Sequence, residues 1–286
     1  MTPPAAGPPI VNAMTVDVED YFQVSAFDRT IARDAWDRQP SRVVANTNRL
    51  LDLFDEFAVT ATFFVLGWVA DRQPQLVATI ASRGHELASH GYGHRLVYEQ
   101  TPDEFRDDVR RAKSVIESAG GKPVMGYRAP SFSVTRRSLW ALDVLVDEGY
   151  RYDASIFPVR HDRYGIPDAP RHAHAMDRGG RRLMEAPPAT VRLGGVNWPV
   201  AGGGYFRLLP YAWTRWGIGR INRLERRPAV FYLHPWEVDP GQPRLRAGAL
   251  SRLRHYYNLD QTAPRLRRLL GEFRFGPMGA LVEAAA

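Results

Sequence analysis

The chain has 286 residues and no cysteine, with 44% hydrophobic and 24% charged residues and a formal net charge of +7. That excludes a disulfide framework, thiolate metal sites and cysteine nucleophiles, and it leaves enough apolar residues for one large barrel-type domain or two small ones. No apolar run approaches the roughly 18 residues of a membrane span, since the best stretch, Phe63 to Ala70, is interrupted by Gly67. Met1 to Pro9 is rich in proline and alanine and lacks both a basic start and an apolar core, so it does not read as a secretory signal. The expectation is a cytoplasmic protein whose residues 1–12 form a disordered tail.

From about residue 13 to 154, short apolar β-favouring segments alternate with amphipathic helical ones, the pattern of parallel β/α units. Ala13 to Val18 reads as the first strand. Ser41 is an N-cap candidate for a helix carrying Val43, Val44, Leu50, Leu51, Phe54 and Phe57. Ala61 to Leu66 follows as a strand, then a helix around Gln75 to Ser82 and a strand at Glu86 to Ser89. Thr101, Pro102 and Glu104 supply an N-cap, a first-turn proline and a capping-box acid for a helix that ends before Gly120 and Gly121. Val124 to Arg128 reads as a strand, Thr135 to Glu148 as a helix closed by Gly149, and Tyr152 to Ala154 as a short strand. Residues 155–200 lose this rhythm and read as a loop-rich insertion with one strand near Met184. Pro210 to Leu224 suits a Trp-rich helix, Ala229 to Leu233 a buried strand, and Ala263 to Leu270 a last helix.

The basic residues are almost all arginine, Lys113 and Lys122 being the only lysines, and the excess is concentrated. From Arg220 to Arg274 there are twelve arginines against five acids. A basic C-terminal region suits an anionic polysaccharide, a phosphate-bearing lipid carrier or peripheral contact with a membrane; its plainest reading is a solvated surface. No nucleic-acid-binding motif accompanies the arginines, so no nucleic-acid partner is expected.

Polar residues of unusual type fall just after the predicted strands, and in a parallel β/α barrel those positions converge on one catalytic face. His90 and His94 stand four apart, a spacing that presents both imidazoles to one ion, while Gly91 and Gly93 permit a tight loop. Asp17, Glu19 and Asp20 close the first strand and can add a carboxylate ligand, leaving a metal position open for water. Arg128 sits on a segment stiffened by Pro130 and can hold a carboxylate in a fixed orientation. His234 ends the apolar strand Phe231 to Leu233, and Asp153 at another strand end can tune it as a general acid. Trp198, Tyr205, Phe206, Trp213, Trp216 and Trp236 offer rings on which sugar faces can pack, although core packing suits any one of them equally.

Thr15-Val16-Asp17, His90 to His94, Arg128-Ala129-Pro130, Asp153-Ala154-Ser155 and Leu233-His234 run in the order of the motifs of polysaccharide deacetylases of carbohydrate esterase family 4, which the chain resembles over about residues 13–236. The stretches Asp17 to Gln23, Gly202 to Arg207 and His234 to Glu237 look more narrowly like deacetylases encoded in exosortase-linked exopolysaccharide loci. The resemblance implies a distorted (β/α)7 TIM-like barrel over residues 13–240, with a C-terminal extension over 241–286. It also implies a divalent metal, usually Zn2+, and hydrolysis of N-acetyl groups on the amino sugars of a polysaccharide or lipid-linked oligosaccharide.

The family usually has adjacent aspartates, base then ligand, whereas Val18 follows Asp17 here. The ligand role therefore passes to Glu19 or Asp20, with Glu19 favoured by branches of the family that place the ligand two residues on. Gly91 stands where the family prefers Ser or Thr, so support for the loop must come from elsewhere, Ser89 being a candidate. On this reading His90, His94 and Glu19 or Asp20 hold the metal, Asp17 oriented by Arg128 is the base, and His234 tuned by Asp153 is the acid. Pro130, Tyr205 and Trp236 are expected to touch substrate. Two alternatives stand beside it: a non-catalytic polysaccharide-binding module on the same barrel, and a metal amidohydrolase of small cyclic amides.

Overall fold

In the computed structural model, which describes residues 9–28 and 30–286, strand β1 (Asn12–Val18) divides its side chains between two environments. Met14, Val16 and Val18 enter the main core, whereas Ala13 joins a second apolar cluster with Phe64, Ala88, Tyr152 and Met184. This is the period-two alternation of a strand. It makes one face of β1 pack under the surrounding helices and the other line the barrel axis.

The remaining strands are β2 (Thr62–Val65), β3 (Glu86–Ser89), β4 (Gly126–Tyr127), β5 (Tyr152–Asp153), β6 (His174–Arg178), β7 (Arg181–Glu185), β8 (Thr190–Leu193), β9 (Val196–Pro199), β10 (Val230–Leu233) and β11 (Phe275–Gly276). Seven of them run parallel in the order β10-β1-β2-β3-β4-β5-β7. The ring closes loosely beyond β7, where Ala189 N donates to Val230 O over 3.0 Å. The fold is therefore the distorted (β/α)7 barrel that the resemblance implies.

Helices α1 (Val43–Glu56), α2 (Gly67–Arg72), α3 (Pro74–Ser82), α4 (Pro102–Gly120) and α5 (Trp140–Asp147) cover the first five strands. In α4 the Thr101 and Glu104 capping box forms as the sequence predicts, and Phe105, Val109, Ala112 and Ile116 are buried at helical spacing. The predicted helix from Thr135 to Glu148 is instead a 3-10 turn followed by α5. Helices α6 (Gly203–Leu208), α7 (Tyr211–Arg220), α8 (Ala249–Tyr256), α9 (Leu259–Glu272) and α10 (Met278–Ala285) complete the chain.

Three expectations need correction. Strand β1 begins at Asn12, so residues 9–12 are not all tail; residues 1–8 lie outside the described residues. Residues 155–200 hold not one strand but the antiparallel hairpins β6-β7 and β8-β9; the strand expected near Met184 is β7, which is itself a barrel strand. The C-terminal region contains three helices and a strand, not a single helix. Its strand β11 pairs in parallel with β1, and Met278, Leu281 and Val282 of α10 enter the axial cluster. There Met278 N donates to Thr62 Oγ1 and Gly279 N to Glu86 Oε2, so α10 plugs the end of the barrel where the strands begin. No helix among the described residues is long and apolar enough to cross a membrane.

Candidate active site

The other end of the barrel holds a pocket of about 160 Å3 lined by Asp17, Glu19, His90, His94, Tyr232 and His234, among others. Alternation along β1 explains its acids: Asp17 and Glu19 follow Ala13 and Thr15 toward the axis, and Glu19 N donates to Asp17 O in a tight turn. Asp20 lies on the opposite side. Its Oδ2 accepts from Ser41 Oγ (2.7 Å), Arg42 N (2.8 Å) and Val43 N (3.1 Å), which caps α1 with a carboxylate. The expectation that Asp20 could share the ligand role is therefore corrected, because the start of α1 has taken up its oxygens. Ser41, the predicted N-cap, binds Asp20 instead of capping the helix itself.

Glu19, His90 and His94 each offer a ligand atom, all within 4.8 Å of one another and all buried. His90 Nδ1 lies 2.8 Å from Arg128 O, which assigns its proton to Nδ1 and leaves Nε2 as a lone-pair donor. Burial lowers the His90 pKa to about 4, so the ring is neutral near pH 7. Glu19 Oε2 lies 2.6 Å from His94 Nε2 but accepts no hydrogen bond of normal geometry among the described residues. Burial raises the pKa of Glu19, yet the field of His94, His234 and His90 outweighs burial and leaves it well below the usual carboxylate range. Two imidazole rings and an orphaned carboxylate oxygen that converge fit a divalent metal, and they form the donor set that zinc accepts with a position to spare.

The loop between the histidines is held by a residue the sequence reading missed. Asp108 on α4 accepts from Tyr92 N (2.7 Å) and Gly93 N (3.1 Å), while Ser89 Oγ accepts from Gly91 N (3.2 Å). A Cβ on residue 91 would lie 2.8 Å from Asp108 Oδ2, and Gly91 has φ +73°, so both space and backbone require glycine there. His94 with φ +50°, Ser131 with φ +51° and Phe132 with φ +53° also hold left-handed backbone around the pocket, the kind of local strain that gathers at functional sites.

Arg128 Nη1 donates to Asp17 Oδ1 (2.6 Å) and to Thr15 Oγ1 (2.8 Å), with the guanidinium fully buried over the Phe64 ring. This leaves Asp17 Oδ2 facing His234 Nε2 at 3.9 Å. His234 does not meet Asp153. Its Nδ1 lies 2.6 Å from Glu237 Oε1, and Glu237 in turn accepts from Arg207 Nε (2.6 Å). Burial lowers the His234 pKa, but the bond to Glu237 and the charges of Glu19 and Asp17 outweigh it and raise the value to about 9.

The expected tuning of His234 by Asp153 is therefore corrected. Tyr152 and Ala154 point into the axial cluster, so alternation turns Asp153 to the outer face of β5. There it stands beside Glu185 of β7 and accepts from Ser155 Oγ. Burial raises the pKa of both carboxyls, and their mutual repulsion adds to the shift at Glu185, so the pair shares a proton.

Of the expected substrate contacts, Trp236 lines the pocket and donates from Nε1 to Glu19 Oε1. Pro130 only opens the turn whose Ser131 and Phe132 line it. Tyr205 lies outside the pocket, with its hydroxyl 3.1 Å from that of the lining residue Tyr164.

Residues 33–152 match the family model for polysaccharide deacetylases, and residues 154–283 match a domain of unknown function (DUF3473). The division falls just after β5, inside the barrel. The peptidoglycan-N-acetylglucosamine deacetylase of Bacillus cereus is 30% identical over 98 residues, which cover 34% of this chain and 36% of that protein. The chitooligosaccharide deacetylase of a Bradyrhizobium species is 34% identical over 100 residues, covering 35% and 43%. The chain thus spans well under half the length of these curated relatives. Among solved structures, a Mycobacterium smegmatis protein described as a polysaccharide deacetylase shares the fold with TM-score 0.62 at 19% identity, over 97% of this chain and 94% of that one. Puue allantoinase does so with TM-score 0.62 at 11% identity, over 95% and 88%. Residues 33–152 thus resemble the polysaccharide deacetylases in sequence, and the chain shares its barrel fold with the solved structures.

Proposed function

We propose that the protein hydrolyses N-acetyl groups from amino-sugar residues of a polysaccharide or oligosaccharide in exopolysaccharide biosynthesis, with zinc held by Glu19, His90 and His94. The observation that carries this reading is the placing of Asp17 Oδ2 and His234 Nε2 on one pocket beside that donor set. The relatives' activities on peptidoglycan and chitooligosaccharide support the substrate class. The stretches Asp17 to Gln23, Gly202 to Arg207 and His234 to Glu237 support the exopolysaccharide setting.

An amide is a poor electrophile and an amine a poor leaving group, so hydrolysis needs an activated water, a stabilised oxyanion and a proton donor. A bound divalent ion supplies Lewis acidity toward the acetamide carbonyl and acidifies water. Arg128 occupies Asp17 Oδ1, which leaves Oδ2 as the atom that takes the proton from the attacking water. His234, held in its protonated form chiefly by Glu237, gives the proton on Nε2 to the sugar nitrogen as the carbon–nitrogen bond breaks. Acetate and a free amine result. The test is acetate release from N-acetylglucosamine oligomers by wild type and Asp17→Asn, with metal content measured on both. Loss of turnover with metal retained supports the assignment, and turnover retained in Asp17→Asn contradicts it.

A further inference from the structure

A cavity of about 850 Å3 lies beside the catalytic pocket and is much larger than it. The β8-β9 hairpin and the α6–α7 segment line it with Val196, Trp198, Tyr205, Leu209, Trp213 and Trp216. Trp198 is 50% exposed and Val196 51%, so apolar surface stands open to water here. Some of its hydrogen-bonding groups are engaged, while Asn197 Oδ1 is buried without a partner among the described residues. Trp213 Nε1 donates to Pro199 O (2.9 Å), Asn197 Nδ2 to Pro158 O (2.9 Å) and Pro167 O (3.1 Å), and the Tyr205 hydroxyl pairs with that of Tyr164. The lining is chiefly aromatic and aliphatic, and a hydrocarbon chain buries against it without needing hydrogen-bond partners.

The rim is cationic. Arg160 lines the cavity, the Arg220 guanidinium lies 6.0 Å from the Trp216 ring, and Arg223 flanks an adjoining hollow that shares Ala212 and Trp216 with the cavity. Among the described residues none of these three forms a salt bridge, although Arg215 beside them pairs with Glu272. An apolar trough edged by free guanidinium groups is complementary to an anionic amphiphile. The Tyr164–Tyr205 hydroxyl pair links it to the catalytic pocket, because Tyr205 lines the trough and Tyr164 the pocket.

We propose that this trough binds the hydrocarbon chain of a lipid phosphate that carries the amino-sugar substrate, with the rim arginines on the phosphate and the sugar reaching past Tyr164 to the metal centre. The sugar half rests on the deacetylase reading, whereas the lipid half rests on the trough alone. The experiment has two arms. In the first, tryptophan fluorescence follows titration with dodecyl phosphate below its micelle concentration. Binding is expected to weaken about tenfold or more in Trp198→Glu, an exposed position that tolerates charge, and in Arg160→Gln/Arg223→Gln. In the second, acetate release is compared for the dodecyl and methyl glycosides of N-acetylglucosamine. The dodecyl compound is expected to have a KM about tenfold lower, and Trp198→Glu to abolish that advantage.

Hydrolysis of both glycosides with equal KM overturns the proposal and leaves the deacetylase reading intact. Dodecyl phosphate binding that Trp198→Glu removes, with no acetate from either glycoside or from N-acetylglucosamine oligomers, supports the lipid site and defeats the deacetylase reading instead. A wild-type dimer that Trp198→Glu dissociates, with no dodecyl phosphate binding, assigns the patch to self-association and overturns the proposal.

Discussion

Trp236 donates from Nε1 to Glu19 Oε1 over 3.1 Å while its indole stacks on His255, with ring centroids 4.2 Å apart. His255 lies on α8, and its own Nε2 is 2.8 Å from Gln242 Oε1. Arg207 Nη1 donates to His255 O (2.9 Å) and Tyr257 O (3.0 Å), while its Nε holds Glu237. One set of contacts from the C-terminal region thus braces both the candidate metal ligand and the partner of the candidate acid. Outer-shell contacts of this kind fix the orientation of the groups that do the chemistry.

Trp236→Phe keeps the stacking ring and removes the donor to Glu19. Zinc affinity, measured by competition with a chelator, is expected to fall by about tenfold to a hundredfold. Unchanged affinity would mean that Glu19 is oriented without the indole.

Glu237→Gln replaces the charged partner of His234 Nδ1 with a neutral one. A proton donor loses function as pH rises through its pKa, so the alkaline limb of the turnover profile is expected to move to lower pH in Glu237→Gln. Asp153→Asn should leave that limb in place, since Asp153 meets Glu185 and not His234. A moved limb in Asp153→Asn and a fixed one in Glu237→Gln would reverse the assignment.

Asp20→Ala and Glu19→Ala separate a helix cap from a metal ligand. Loss of the Asp20 carboxylate strips α1 of the acceptor for Arg42 N and Val43 N, which costs about 1–2 kcal/mol in urea unfolding and leaves zinc binding near wild type. Glu19→Ala should lose the metal. Equal loss of metal in both variants would return Asp20 to the ligand set.

Acid weakens the fold through buried neutral histidines, two of which lie outside the candidate metal centre. Burial lowers the pKa of His85, whose Nδ1 accepts from Ala61 N, to about 4. Burial, helped by Arg207, lowers that of His255 to about 3. Both start from an ordinary value of 6.5, so between these limits the unfolded chain binds more protons. The stability they contribute is fully present above about pH 6.5 and is lost as pH falls toward the folded values. The unfolding free energy measured in urea should drop between pH 7 and pH 5 by on the order of 1–2 kcal/mol per histidine, and His85→Gln should flatten that slope. A pH-independent midpoint would show that neither ring is held neutral.

Much of the candidate site was legible because it lies on strand ends, where short apolar runs stop at polar residues. Alternation along Asp17-Val18-Glu19-Asp20 already puts Asp17 and Glu19 on one face and Asp20 on the other, a physical reason for Glu19 beside the family resemblance. The same rule turns Asp153 away from His234, since its neighbours Tyr152 and Ala154 face the axis. Asp108 and Arg207 left no local signal. Each is a charged residue on a helix whose partner comes from a distant loop, and only the packing of α4 and α6 brings them in. Glu237 was in view, in His234-Pro235-Trp236-Glu237, but three residues span the gap to His234 only because a 3-10 turn forms there. Strand β7 was missed as a barrel member because Arg181 and Arg182 make its first half look like loop.

The most direct test of the central claim is elemental analysis of wild type and His90→Ala/His94→Ala after exposure to zinc. The account predicts one equivalent per chain in the wild type and none in the double variant. Metal retained by the double variant, or absent from both, would contradict the centre built from Glu19, His90 and His94.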